Sequence, residues 1–327
     1  MLAYIVRRLG YMLVTLVFVA VIGFLIIELP PGSYVEFEIQ RLRQQGGNLT
    51  PELIDSLERR YGVNDPTYVK FWKWISGFVR GDFGESFEYR LPVSELLWSR
   101  LGYTIGLSVV AMIISWLLSI IIGVYSATHR YTIPDYFITF LQFVGLSVPS
   151  FLLALVLMVF AHKVLGQDVG GLFSIEFRDA PWSWAKFLDL LKHLWIPVVV
   201  VSASGTASLS RLMRSNLLDV LNMQYVQTAR SKGLVERRVV WKHAVRNALH
   251  PLVMQLGMSL PGLISGQTVV SMVLNLPTAG PLYFRALEQQ DMYLAGTFLM
   301  FLAILLVIGN LLADILLAWL DPRIQFE

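Results

Sequence analysis

The residues with the most ordered chemistry lie between Arg211 and His250, where eight basic residues stand against two acidic ones between two apolar blocks. Gln224 to Ser231 reads as a short helix with the small residues Thr228 and Ala229 side by side. Lys232 and Gly233 follow it, the glycine suited to the left-handed position that ends a helix. Such a helix can enter a groove closely, and its cations Arg230 and Lys232 can pair with acidic groups there. Beyond it, Glu236 to His250 is expected to be amphipathic, with Trp241, Val245 and Leu249 on one stripe and Arg238, Lys242 and Arg246 on another. One stripe would rest on a bilayer or a helical bundle while the other meets headgroups or solvent. The plainer alternative is a solvated loop whose cations only set membrane topology.

Other chemistry is excluded by what the sequence lacks. A phosphate-cradling loop needs glycine N–H groups and a following lysine, and the dipeptide Gly-Lys occurs nowhere. The Gly-x-Ser sequences at Gly106, Gly145 and Gly257 lie in apolar blocks and lack the closing glycine of a nucleophile elbow. Five histidines are scattered without a His-Glu-x-x-His spacing, so no metal site is expected. With no cysteine there is no disulfide, thiolate zinc site, iron–sulfur cluster or cysteine nucleophile.

The elements that carry these residues are set by composition. Of 327 residues 55% are hydrophobic and only 15% charged, and the mean hydropathy is +0.60. That balance argues against a soluble domain, collagen, a coiled coil or a disordered chain. The net charge of +3 is concentrated in the one basic segment, which fits membrane topology better than a nucleic-acid partner. Gly10 to Ile27 is free of charge and is read as an uncleaved first span, since its apolar core is long for a signal peptide. Leu101–Tyr125, Phe137–Ala161, Leu194–Leu209, Leu252–Leu274 and Leu294–Leu320 follow, for an all-α membrane protein of six transmembrane helices. The fourth is the shortest. Glu28 and Asp314 lie near span ends, and the middle four spans contain no Asp, Glu, Lys or Arg. A proton relay is therefore disfavoured, and Asp314 is expected to cap or pair near the inner end of the last helix.

Short loops on the side of the N-terminus hold twelve basic residues against five on the other, which places both termini in the cytoplasm. The expected organisation is a cytoplasmic end and first span over 1–29 and an external helical segment over 30–100. A core over 101–320 with its cytoplasmic loop at 210–250 follows, then a tail over 321–327. In the external segment Thr50-Pro51-Glu52 starts a helix that Tyr61-Gly62 closes, and a second runs from Asp65-Pro66 to Arg80 before Gly81. Its aromatics Tyr68, Phe71, Trp72 and Trp74 either meet an outer partner or pack at the membrane interface.

Tyr225-Val-Gln-Thr-Ala-Arg-Ser-Lys-Gly233 with Leu234, Glu236-Arg237-Arg238 and His243-Ala-Val-Arg-Asn-Ala-Leu-His-Pro251 resembles the "EAA" loop of ABC importer permeases. The version is that of the peptide, nickel and oligosaccharide group. Gln227, Thr228 and Ala229 fall on the Glu-Ala-Ala positions and Gly233 on the glycine, so the glutamate and first alanine are replaced. The likeness extends from Tyr4–Leu9 through Gly81-Asp-Phe-Gly-Glu-Ser86 and Ser147-Val-Pro-Ser-Phe151 to Asp321-Pro-Arg-Ile324. The long segment after the first span is similar to that of the B-type member of the permease pair.

The resemblance implies the type I importer permease fold in a bacterial or archaeal cell membrane. It implies a second, C-type permease, two cytoplasmic ATPase subunits that hold ATP and Mg, and an external substrate-binding protein. Gln227, Thr228, Ala229, Arg230, Lys232 and Gly233 would then form the coupling site, with no cofactor on this chain. Candidate pathway residues sit in the fifth span: Gln267 is a polar group needing a partner, beside Ser265, while Pro261 loosens the helix. Gly262 and Gly266 have the spacing for close backbone approach. A stand-alone ion-coupled carrier is the competing class.

The topology is testable in a chain without cysteine. In intact cells an impermeant maleimide should label a Ser56→Cys variant and leave Ser231→Cys unlabelled; the reverse pattern would invert the chain.

Overall fold

A computed structural model describes residues 2–29, 34–44, 50–61, 64–255 and 267–320. They form α1 (Leu2–Glu28), α2 (Tyr34–Gln44), α3 (Pro51–Tyr61), α4 (Thr67–Arg80), α5 (Val93–Thr128), α6 (Ile133–Ser147), α7 (Ser150–Leu165) and α8 (Trp184–Leu221). After these come α9 (Gln224–Ser231), α10 (Glu236–Arg238), a π-helical turn (Val239–Ala244), α11 (Val245–Ala248), α12 (Thr268–Val273), α13 (Ala279–Glu288) and α14 (Met292–Leu320). Among the described residues the one β feature is an isolated bridge between Glu85 and Pro92.

Four of these helices, α1, α5, α8 and α14, are long and apolar enough to cross a membrane. The third expected span is not one straight helix: α6 and α7 meet at a bend of 106°. Pro149 supplies the cause, because it has no N–H to continue the α6 ladder and it holds Val148 in an extended conformation (φ −81°, ψ 121°). Residues 256–266 of the fifth expected span lie outside the described residues, as do Gly62 and the 321–327 tail.

The fourth span is corrected in the other direction. It is the core of the 38-residue α8, which starts ten residues before Leu194 and ends twelve after Leu209. Ser183 caps its start by accepting from Lys186 N. Nothing between Ser210 and Leu221 breaks it, since that stretch has neither Gly nor Pro. The loop expected from Ser210 therefore begins as helix.

The chain divides into two compact units. The first comprises the described residues of 1–102 and 278–307. Here α4 packs on α1 through Trp74, which is 2% exposed and lies against Phe24, Phe71 and Phe78. Tyr68 and Trp72 remain exposed, so the aromatics of α4 split between core and surface. Lys70 binds Glu28 at 2.6 Å. Glycine at 296 lets α14 approach, because a Cβ there would stand 2.9 Å from the Trp74 ring.

The Gly81–Ser86 motif has a structural task in this unit. Gly81 ends α4 at φ +81°, and Ser86 Oγ donates to Asp291 at 2.5 Å. Asp291 also accepts from Glu88 N and from Leu294 N in the first turn of α14. Burial pushes its carboxyl above the usual range despite these donors. The α2 helix, which the sequence reading did not contain, buries Val35 and pairs Glu38 with Arg90 at 2.9 Å.

The second unit comprises the described residues of 103–277 and 308–320. Its α8 is flanked by α5, α6 and α7. Ser115 Oγ of α5 donates to Ser202 O at 3.1 Å, and Gln142 Nε2 of α6 donates to Ser210 Oγ at 2.9 Å. At the start of α6, Asp135 accepts from Arg214 Nη2 at 2.8 Å and from Tyr131 N at 3.0 Å. On the other side of α8 the second unit packs Ala154 and Ala161 of α7 with Ile196, Val198 and Val200.

Candidate functional site

The candidate coupling site lies at the end of α8. Met223 starts a tight turn after Leu221, and α9 then runs from Gln224 to Ser231, the span read from the sequence. Val226 and Ala229, three residues apart, form the inward edge of α9 and are buried with Met213, Leu217 and Val220 of α8. Full burial of a valine is worth about 1.5–3 kcal/mol, so Val226 is the main apolar anchor. Two carbonyl contacts at the end of α8 add to it, since Gln227 Nε2 and Arg230 Nη1 both donate to Leu221 O at 3.3 and 3.5 Å.

Gly233 has φ +74°, the left-handed conformation expected for it. Its N–H donates to Arg230 O at 2.9 Å and Leu234 N to Ala229 O at 3.4 Å, which closes α9. No atom lies within 4 Å of where a Cβ would stand, so the demand for glycine is a backbone demand and not a steric one.

Two side chains differ from the sequence reading. Ala229 was placed on the contact face of α9 and is instead turned into the chain's own core, 7% exposed. Arg230 was read as a cation for an acidic partner groove, and it is held by Glu236 within the chain. Its Nε and Nη2 reach the two carboxylate oxygens at 3.1 and 2.7 Å. The outward face of α9 is therefore neutral and polar, with Gln224, Gln227, Thr228 and Ser231 exposed beside Lys232. Thr228 Oγ1 donates back to Gln224 O at 2.9 Å.

The expected stripe of Trp241, Val245 and Leu249 is also corrected. The π-helical turn widens the repeat, so that Val239 and Val240 are buried together and Ala244 and Val245 come inward five residues later. Trp241 is turned outward and is 48% exposed. It lines an open hollow with Val235, Arg237, Arg238 and Lys242. Asn247 Nδ2 donates to Tyr225 Oη at 2.6 Å and ties α11 back to α9.

Of the candidate pathway residues, Gln267 is described. It is 7% exposed, and its Nε2 has no hydrogen-bond partner among the described residues. Pro261, Gly262, Ser265 and Gly266 lie outside the described residues.

Comparison with known proteins agrees with this architecture over the full length. Residues 119–326 match the profile of the family described as "Binding-protein-dependent transport system inner membrane component", and residues 1–108 match its N-terminal companion. The chain is 37% identical over 327 residues to the oligopeptide transport system permease protein AppB of Bacillus subtilis, covering all of both chains. It is 31% identical to the glutathione transport system permease protein GsiC of Salmonella typhimurium, again over the whole of each. With the dipeptide transport system permease protein DppB of Alkalihalophilus pseudofirmus the identity is 29%, also complete on both sides.

The Arg230–Glu236 brace gives a pH test. The hydrogen bond from Arg230, with its charge, holds the Glu236 carboxyl below the usual carboxylate range. A depressed folded value means the brace is intact above the ordinary carboxylate range and is lost as pH falls through the lowered value. Protection of the α9 amides, measured as exchange relative to the intrinsic rate at each pH, should therefore fall on acidification in wild type. In Glu236→Gln protection should already be lower at neutral pH and nearly independent of acid; unchanged protection in wild type across this range would mean the brace does not hold α9.

Proposed function

The chain belongs to the binding-protein-dependent transport system inner membrane components, the permeases of ABC importers, and from that premise we propose that it forms half of the channel of a peptide importer. It is a permease subunit and not an enzyme, with ATP hydrolysis on separate subunits. The observation that carries the peptide reading is the full-length likeness to permeases named for oligopeptide, dipeptide and glutathione transport. In the proposed complex a C-type permease supplies the other half of the channel. An external binding protein delivers substrate, and two cytoplasmic ATPases carry ATP and Mg.

The coupling role belongs to α9. Gln227, Thr228 and Lys232 offer polar contacts to the ATPase, while Ala229 and Arg230 act from behind, fixing α9 on α8 and on α10. Gly233 sets the exit of the chain from the docking helix. The cations nearest the partner are then Lys232 and the Arg237, Arg238 and Lys242 group, and not Arg230. Alternating access needs two global states with differential contacts, which ATP-bound and ATP-free partners supply. Both termini and α9 face the cytoplasm in this reading, which supports ATPase docking on the inner side.

Gly233→Val tests the coupling role. A β-branched residue at φ +74° is a backbone outlier, and open space around the site means that only the exit of α9 is disturbed. The variant should accumulate in membranes as wild type does and lose most ATPase co-purification and substrate-stimulated ATP turnover, whereas Lys232→Gln should weaken both only in part. Normal turnover in Gly233→Val at equal expression would leave α9 without a coupling role.

A further inference from the structure

Three cations of the segment after α9 stand together without a counter-charge. Arg237, Arg238 and Lys242 line an open hollow of about 480 Å³ with Val235 and Trp241. None of the three has an ion-pair partner among the described residues, whereas Arg214 and Arg230 of the same loop are held by Asp135 and Glu236. Val235 is 74% exposed and Trp241 48%, so apolar surface is presented among the cations. The other side of this turn is closed. Val239, Val240 and Ala244 are buried in the cluster that also holds the end of α8 and the inward edge of α9, which gives the hollow a packed base.

Two contacts fix the hollow beside α9. Arg230 near the end of α9 grips Glu236 at the start of α10, and Asn247 of α11 donates to Tyr225 near the start of α9. The turn that carries the hollow is therefore tied to α9 on both sides. The level of α9 follows from α8. Beyond Arg211, the first charge after its apolar stretch, α8 runs ten more residues to Leu221, about 15 Å. A headgroup layer is only about 5–8 Å deep on each side of a bilayer. Since α9 packs with Leu217 and Val220 on the last turns of α8, the hollow stands past the headgroups, a position that favours a cytoplasmic protein over a lipid.

We propose that the hollow is a second docking point for the ATPase subunit, which enters it with an apolar side chain flanked by carboxylates. Unpaired cations beside an exposed indole match that chemistry. Each arginine can hold a carboxylate with two parallel N–H donors, and Lys242 adds a point charge. Trp and Arg are also the residue types that most often dominate the energy of a protein interface. The two contacts have different tasks. The outward face of α9 is neutral and polar, so the hollow supplies the charge that steers and retains the partner. Because the Arg230–Glu236 pair joins them, a partner seated on both would move α9 and the turn as one piece. This rests on the ATPase docking at α9 proposed above.

The test uses this chain with a cysteine-free second permease in nanodiscs that contain phosphatidylglycerol, to which the ATPase subunits are added. A benzophenone attached to Val235→Cys before that addition, in a chain with no other cysteine, should form its photo-adduct with the ATPase. In Arg238→Glu/Lys242→Glu, ATPase retention should fall more than roughly tenfold, while the second permease stays bound. Trp241→Ala should also lower retention, and Trp241→Phe should restore most of it. Wild-type retention should fall as salt rises from about 0.05 to 0.5 M, and that of the double variant should be low and nearly flat. Should the charge variants fail to accumulate, the adduct alone decides. Wild-type retention in the charge variants, or an adduct with lipid or the second permease alone, would overturn the hollow as an ATPase site and leave α9 docking standing. Failure of the wild-type pair to retain the ATPases at any salt would overturn the α9 reading as well.

Discussion

The second unit depends on the ion pair between Arg214 of α8 and Asp135 in the first turn of α6. Asp135 is 2% exposed and takes donors from Arg214 and from the Tyr131 backbone. Replacing such a pair by apolar groups is often neutral, but removing one partner strands a buried charge at a cost of about 3–5 kcal/mol. Its value is therefore registry. With Arg214 on Asp135, Ser210 meets Gln142, and Gly145 of α6 lies against Ala203 and Ala207 of α8. One seam, closed at its polar end by a charge pair, sets where α6 stands along α8.

The consequence is a single rod. The 38 residues of α8 are about 57 Å long, enough to cross the roughly 30 Å core of a bilayer and still project beyond it. The projecting end buries Met213, Leu217 and Val220 against Val226 and Ala229 of α9. In the proposed coupling role, force applied to α9 by a partner would enter α8 through that apolar contact and travel along one continuous helix. The first unit follows a different logic: there Asp291 gathers Ser86, Glu88 and Leu294, so the loop after α4 fixes the start of α14.

Local features were legible in the sequence, and features that depend on distant partners were not. The bounds of α9 and the left-handed Gly233 follow from helix and cap chemistry within ten residues, as does the end of α4 at Gly81. The length of α8 was hidden because its serines and threonine dilute the apolar signal from Ser202 to Ser210. Arg211 and Arg214 also counted as loop charge, although Arg214 answers a carboxylate 79 residues earlier. The outward turn of Trp241 follows from a π-helical turn that four-residue periodicity does not register, and the inward turn of Ala229 from the apolar end of α8 on which it packs with Val226. The bend after α6 was written in Ser147-Val-Pro-Ser, where an apolar count alone sees one continuous block.

Rigid transmission from α9 through α8 is most directly measured by the distance between spin labels on cysteines replacing Ser208 and Ser231, both exposed. The complex would be compared with and without ATP. One rigid body gives the same distance distribution in the two states, however far the helices move within the membrane. A shift of about one helical turn, 5.4 Å, between the nucleotide-free and ATP-bound complexes would mean that α9 moves on α8 and not with it.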